Sequence, residues 1–278
     1  MSDNTGNTED TGNTAPDEKG SASDGLRFAL GTLTVLPVTV HRWDRAAARK
    51  GMLSAPFAGL AVGAAAAVLG VLLQLLGAGP LLAAVAAVAV PAVLTRGLHL
   101  DGIADVADGL GSGKPAEDAL RIMKRSDIGP FGVVTLLLVL LGQVAAVAGL
   151  FARPDGWAYG ALGIAVSAVT ARTALTLASR HGVPAARPEG LGAAVAGTVP
   201  VRAAYAVAAA VAVLAALVAV PLSPAAAAYA AAAVVLGLCA SELLLHHCRR
   251  RFGGVTGDVF GALAETAATA ALVVLSLH

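Results

Sequence analysis

Seven long apolar stretches limit the folds that are open to this chain. They run over 53–77, 80–98, 131–152, 157–180, 203–220, 224–246 and 258–277. About 20 mainly apolar residues are enough for a helix to cross the hydrocarbon core of a bilayer. Hydrophobic residues make up 57% of the 278 residues and charged residues only 13%, which argues against a soluble domain. The sequence therefore predicts an all-α fold, a polytopic transmembrane helical bundle of about seven spans.

The amino-terminal part of the chain differs from these stretches. An apolar segment over 26–40 is short and contains Pro37, which predicts an interfacial or re-entrant segment that does not span the membrane. The first 24 residues hold six acidic residues, one lysine and almost nothing apolar. This composition is typical of a disordered tail. We therefore expect a disordered acidic tail over 1–24 and one integral membrane domain over 25–278.

The basic residues predict the orientation of the bundle. Fourteen lysines and arginines lie in the alternate connections at 42–50, 114–125, 180–202 and 249–251, whereas the other set of connections contains only Arg153. Basic connections stay in the cytoplasm, so we expect these four connections there and the carboxyl terminus outside. Because the basic groups are small and scattered, and aromatic residues amount to 4%, the expected partner is a lipid bilayer and no nucleic acid.

Three aspartates in the connection after 80–98 are the first candidate site. Asp101, Asp105 and Asp108 are spaced by four and three residues, so on a helix they point within an arc of about 60°. Carboxylates crowded on one face repel one another, and their hard oxygen atoms suit Mg²⁺ or Mn²⁺. A solvated acidic loop is the alternative. The pattern favours the metal site because apolar residues and glycines surround the acids at a membrane boundary.

A glycine-rich run follows these aspartates. Gly-Leu-Gly-Ser-Gly at 109–113 precedes Lys114, and such a run can bring backbone N–H groups and an ammonium group to a phosphate. Glycine-rich loops are common, so the run alone is weak evidence. Beside a Mg²⁺ site it gains weight, because Mg²⁺ often completes its coordination with substrate phosphate oxygens.

The second candidate cluster lies at the start of the last span. Asp258 and Glu265 are seven residues apart on one helix face, which places Glu265 about 10 Å into the membrane. Arg172 lies about 12 Å inside the same boundary, eight residues before Arg180. A charged side chain at this depth in the membrane costs free energy, so its presence there requires an explanation. The two explanations are a structural ion pair between Arg172 and Glu265 and a polar cavity that receives an anionic substrate.

These motifs, in this order, resemble one known family. The matching pieces are GMLSAPFAGLAVGA (51–64), GLHLDGIADVADGL (97–110), IMKRSDIGPFGV (122–133), Arg172, EGLG (189–192) and GGVTGDVFGALAE (253–265). The chain resembles the cobalamin synthases, the adenosylcobinamide-GDP ribazoletransferases, from residue 26 to residue 276. The aspartate-rich motif and the GGVTGD motif together are highly specific.

The resemblance implies an activity and a set of site residues. It implies transfer between adenosylcobinamide-GDP and α-ribazole or its 5′-phosphate, with GMP released and Mg²⁺ required, in the inner membrane of a bacterial-type cell. Asp101, Asp105 and Asp108 then hold the metal. The implied catalytic set is Asp101, Asp105, Asp108, Asp258 and Glu265, and the implied substrate-binding set is His99, Lys114, Lys124, Ser126, Arg172, Gly254 and Thr256.

One departure from the family pattern leaves two roles open. Family members often read Asp-Ser-Arg where this chain reads Arg125-Ser126-Asp127. The exchange keeps both charges in the connection, and neither Arg125 nor Asp127 is given a role.

Two other functions are the alternatives. The first is another Mg²⁺-dependent membrane phosphotransferase of the CDP-alcohol type, a class whose spaced aspartates perform the same task. An ion-coupled transporter fits less well, because the outward half of every span is nearly all alanine, valine, leucine and glycine. A homo-oligomer is compatible with these features, and the sequence does not decide it.

Overall fold

The computed structural model describes residues 22–277, and every helix or strand that it names in that range is an α-helix. The helices are α1 (Ala22–Leu33), α2 (Arg45–Leu75), α3 (Pro80–Leu94), α4 (Leu98–Gly111), α5 (Ala116–Ile122), α6 (Pro130–Phe151), α7 (Gly156–Ala178), α8 (Gly190–Val195), α9 (Val201–Ala219), α10 (Pro224–Phe252) and α11 (Gly257–Ser276). The predicted tail over 1–24 lies outside the described residues, except that its last three residues begin α1.

Six helices are long and apolar enough to cross a membrane, namely α2, α6, α7, α9, α10 and α11. They coincide with six of the seven predicted spans, so the polytopic helical bundle is confirmed. Their outer faces carry exposed leucine and valine side chains, such as Leu75 on α2, Leu138 on α6 and Val218 on α9. Large exposed apolar faces of this kind suit contact with lipid tails.

The seventh predicted span, 80–98, is interrupted. Helix α3 ends after 15 residues at Leu94, and α4 follows at a bend of 87°. The break lies at Arg96 and Gly97, whose φ angles of 54° and 73° are left-handed and cannot continue a right-handed helix. Because of this bend, α4 lies across the end of α3 and does not continue through the bundle. We therefore place α4 outside the membrane-spanning segments.

The short amino-terminal segment forms α1, which has only 12 residues. A helix of that length is too short to span, as the sequence predicted. It packs on α2 through Phe28, which is buried against Gly51 and stacks edge-on with Trp43 at 5.5 Å between ring centroids.

Helix α7 forms the centre of the bundle. Every residue from Thr170 to Ala178 is buried. Helix α2 approaches α7 closely at Gly59, where an added Cβ would lie 2.5 Å from the carbonyl oxygen of Ala168. Small residues at such crossings let helix backbones pack tightly where no hydrophobic effect drives them together.

Candidate active site

The three predicted aspartates all lie on α4, as expected, but their surroundings differ. Asp101 is exposed, Asp105 is half-buried and Asp108 is buried. The helical face that they share therefore runs from solvent at Asp101 into the protein at Asp108.

Asp108 holds the start of α6. Its Oδ2 atom accepts the N–H group of Gly129 at 2.7 Å, and its Oδ1 atom accepts the N–H group of Gly132 at 2.9 Å. The first N–H groups of a helix have no partner within the helix, and a carboxylate there is stabilised by the helix dipole. Asp108 thus has a structural role that sequence reasoning missed, since it joins α4 to α6. Its proposed role as a metal ligand stays a prediction.

A cavity of about 780 Å³, here called the end cavity, lies beside α4. Its polar lining comprises Asp101, Asp105, Arg96, Arg125, Ser126 and Asp127, together with Thr95 and with Thr32 and Thr34 at the end of α1. Leu33, Leu98, Ile128 and Leu136 give it an apolar wall. Of the predicted site residues, Asp101, Asp105 and Ser126 line this cavity, and the structure adds Arg96, Arg125 and Asp127.

The electrostatic environment of Asp105 is unusual. The pKa of Asp105 is raised to about 7, chiefly by burial and also by the negative charges of Asp101, Asp258 and Asp108. The positive charge of Arg187 acts in the opposite direction. Asp105 therefore lies where several carboxylates from two helices meet.

Close packing of α4 on α11 brings Asp258 to this meeting point. An added Cβ at Gly102 would lie 2.5 Å from the carbonyl oxygen of Asp258, and one at Gly261 would lie 3.1 Å from the Cα atom of His99. Glycine on both sides of the crossing lets the two backbones touch. The start of α11 therefore lies next to Asp101 and Asp105.

Gly254 and Thr256 in the GGVTGD motif have structural roles. Both are buried, and a side chain at Gly254 would overlap the carbonyl group of Pro184. The hydroxyl of Thr256 accepts the N–H group of Val259 at 3.2 Å, which caps α11. It also lies 3.2 Å from a carboxylate oxygen of Asp258. Neither residue lines the end cavity, and their contact with substrate stays a prediction.

The same motif docks the connection between α7 and α8, which carries Arg187. Val255 and Ala185 form a β-bridge. Arg187 Nη1 then lies 3.9 Å from Asp258 Oδ2, and Nη2 donates to the carbonyl oxygen of Leu120. Sequence reasoning counted Arg187 only toward orientation. No local pattern indicates its place, because Arg187 and Asp258 meet through a loop contact between distant parts of the chain.

Arg172 and Glu265 line a second cavity, here called the inner cavity, of about 40 Å³ between α3, α6, α7 and α11. Glu265 accepts a hydrogen bond of 2.8 Å from the amide of Gln143, which also donates to Thr269 at 2.9 Å. Within residues 22–277, no carboxylate lies within 4.0 Å of the Arg172 guanidinium, and its Nε and Nη2 atoms have no hydrogen-bond partner. The ion pair considered from the sequence is therefore not formed, and Gln143 was missed.

The remaining predicted residues lie away from the end cavity. His99 is buried, and neither of its ring nitrogens has a hydrogen-bond partner among the described residues. Burial, together with the positive charge of Arg172, holds the pKa of His99 well below its ordinary range, so the imidazole is neutral. Lys114 and Lys124 are exposed, and neither lines the cavity.

The carboxylates around Asp105 are candidate ligands for Mg²⁺. Over 22–277, no three histidine, cysteine, aspartate or glutamate side chains form a metal-holding group. Mg²⁺ is usually bound through one or two carboxylates and completed by substrate phosphates and water, not by a protein cage. Asp101 and Asp105 line one cavity and supply such carboxylates, so these residues fit a metal that is shared with a phosphate substrate.

Comparisons with known proteins identify the family of the chain and several relatives. A family model described as cobalamin-5-phosphate synthase matches residues 25–276. An adenosylcobinamide-GDP ribazoletransferase of Frankia casuarinae is 43% identical over 264 residues, covering 90% of this chain and 94% of the relative. A protein of the same name from Nocardioides sp. is 38% identical, covering 90% and 97%. Another from Corynebacterium efficiens is 39% identical, covering 86% of each chain.

No solved structure matches the chain. The family match nevertheless extends over both candidate clusters, from the aspartates of α4 to the start of α11. The chain belongs to the cobalamin-5-phosphate synthase family.

Proposed function

We propose that this protein is a membrane-embedded adenosylcobinamide-GDP ribazoletransferase. It joins adenosylcobinamide-GDP to α-ribazole, or to α-ribazole 5′-phosphate, and releases GMP. The observation that carries the proposal is the end cavity, where Asp101 and Asp105 face Arg96 and Arg125 in a family whose relatives bear this name.

The reaction is a phosphoryl transfer, and its atoms balance simply. A ribazole hydroxyl oxygen forms a bond to the phosphorus next to the cobinamide, the bond from that phosphorus to the bridging oxygen breaks, and GMP leaves with that oxygen. The hydroxyl proton leaves to solvent or to a nearby base. Such reactions depend mainly on positioning and charge neutralisation.

The residues that line the end cavity can provide both positioning and charge neutralisation. Asp101 and Asp105 would hold Mg²⁺, which when bound neutralises the diphosphate and orients the attacking oxygen. Arg96 and Arg125 bring guanidinium groups to the same cavity, and guanidinium groups bind phosphate oxygens with paired hydrogen bonds. The apolar wall of Leu33, Leu98 and Leu136 offers a surface for the less polar parts of the substrates.

The basic connections support a proposal for the location of the protein. The protein is a multi-pass membrane protein, and we place it in the cell membrane with the end cavity on the cytoplasmic side. The connections that carry Arg125 and Arg187 lie at the end of the bundle that holds the cavity. They belong to the basic set that is expected to remain in the cytoplasm.

A direct assay tests the proposed function. Purified protein in detergent is given adenosylcobinamide-GDP, with and without α-ribazole, in Mg²⁺ and in chelator, and GMP and the corrinoid product are measured. We expect equal amounts of GMP and product only when both substrates and Mg²⁺ are present. Full turnover in chelator would overturn the metal assignment, and no turnover with either form of ribazole would overturn the activity.

A further inference from the structure

Arg187 is placed where it can act on the acidic residues of the candidate site. Asp101, Asp105 and Asp258 are here called the carboxylate cluster. Arg187 lies 3.9 Å from Asp258, and its positive charge acts on Asp105.

Arg187 is held firmly, yet most of its donors remain available. Its side chain is 17% exposed, and its loop is docked by the bridge between Ala185 and Val255. The guanidinium has five N–H donors. Nη2 donates to the carbonyl oxygen of Leu120, whereas a separation of 3.9 Å from Asp258 is too long for a hydrogen bond.

We propose that Arg187 is the internal counter-ion of the carboxylate cluster, and that a divalent cation takes over this role when it binds. The free donors of Arg187 then turn to a phosphate oxygen of the substrate. The inference rests on the proposed function, because the phosphate is that of the transferred or leaving group.

Electrostatics explains how Arg187 can act both before and after a divalent cation binds. Carboxylates that lie close together in a half-buried site repel one another, so a nearby positive charge stabilises them. A bound divalent cation supplies that charge more strongly and also competes with Arg187 for the same oxygens. An arginine released in this way can bind phosphate oxygens bidentately.

A tether for the loop is the simpler explanation, and the chain offers a matched control for it. Arg249 donates to the carbonyl oxygen of Gly182 at 2.9 Å and therefore holds the same loop, but among the described residues it forms no ion pair within 4.0 Å. Removing Arg249 tests loop docking alone, whereas removing Arg187 tests loop docking together with its charge.

The experiment measures Mn²⁺ binding without substrate, by electron paramagnetic resonance of the free ion, and then turnover. With the competing charge removed, we expect Arg187→Gln to bind Mn²⁺ about 3- to 10-fold more tightly. Its turnover should nevertheless fall by about 10-fold or more, because a phosphate contact is lost. Arg187→Lys keeps the charge, so its Mn²⁺ affinity should match that of the wild type. Arg249→Gln should change neither quantity.

Opposite changes in metal affinity and turnover are the result that a tether does not produce. Weaker or unchanged Mn²⁺ binding in Arg187→Gln would overturn the inference. If that variant does not fold, Arg187→Lys decides, since wild-type Mn²⁺ affinity supports the inference and weaker affinity overturns it. If the wild type releases no GMP, the proposed function fails, while the Mn²⁺ comparison still tests the counter-ion role.

Discussion

The end cavity and the inner cavity both contain acidic and basic side chains, yet they differ in size and position. The end cavity measures about 780 Å³ and lies beside α4, where, among the described residues, Leu136 of α6 is the one lining residue from the six spanning helices. The inner cavity measures about 40 Å³ and is enclosed by four helices of the bundle. Only the first has room for a substrate, since small-molecule sites usually measure about 300 to 1,000 Å³.

The charged side chains of the two cavities therefore have different surroundings. Asp101 and Asp105 face an open volume that a ligand can enter. Glu265 instead accepts a hydrogen bond from Gln143, and Arg172 is almost fully buried among helices. We therefore expect changes in the end cavity to alter turnover, and changes in the inner cavity to alter stability first.

The largest expected effect is that of Asp105→Asn. The substitution keeps size but removes charge from the site where metal and diphosphate are expected to bind, so turnover should fall by about 100-fold or more. GMP release at saturating substrate measures the effect. Asp118→Asn is the matched control, because Asp118 pairs with the exposed Arg121 and does not line the end cavity. An Asp105→Asn variant with full activity would show that the end cavity is not where turnover depends on charge.

The second-largest effect is expected for substitutions in the inner cavity. Arg172→Met or Glu265→Leu alone leaves the other charge buried, which should destabilise the protein by about 3 to 5 kcal/mol. The double variant should recover both thermal stability and GMP release, because both residues line the inner cavity and not the end cavity. A double variant that is stable but inactive would show that these residues reach the reaction, and the two cavities would then act as one site.

A smaller effect is expected for Asp108→Asn. The amide keeps one acceptor for the two N–H groups at the start of α6, so one hydrogen bond is lost and stability should fall by about 1 to 3 kcal/mol. Thermal unfolding in detergent measures the loss. Turnover of the folded fraction should stay within about 10-fold of the wild type, well above that of Asp105→Asn. Equal inactivity of the two variants at full stability would instead favour Asp108 as a metal ligand.

The smallest effect should follow Lys114→Gln. Lys114 is exposed and lies outside the end cavity, so GMP release should change by less than about 2-fold. Arg125→Gln is the matched change inside the cavity, and there KM should rise by about 10-fold through loss of a phosphate contact. A reversed order of the two effects would show that the glycine-rich run, and not the connection at 125–127, binds the substrate.

Several features followed from local sequence alone. Apolar length predicted seven spans, six of which match single long helices, because the thickness of a bilayer sets the length of a helix that crosses it. The spacing of Asp101, Asp105 and Asp108 predicted their common face, because helical periodicity depends only on the backbone. The left-handed break at Arg96 and Gly97 was missed, and it turned a predicted span into α3 and α4.

Pairings between distant residues did not follow from local sequence. Glu242 accepts two hydrogen bonds of 2.7 Å from Arg180, and no local pattern indicated this pairing. Gln143 and Arg187 showed no local pattern at all, and their partners lie on helices far along the chain. Pattern and spacing describe one element at a time, so they cannot indicate which side chain of another element lies opposite.

By itself, the sequence determined the class of the protein, its spanning helices, and the aspartates and basic connections that mark one end of the bundle. Only the tertiary structure decided which of the charged residues share a cavity. Glycine contacts between α4 and α11 bring Asp258 beside Asp105, while the packing of α3, α6, α7 and α11 encloses Arg172 and Glu265 elsewhere. The physical reason is that helix formation is local, whereas the position of one helix against another depends on side-chain shape over the whole interface.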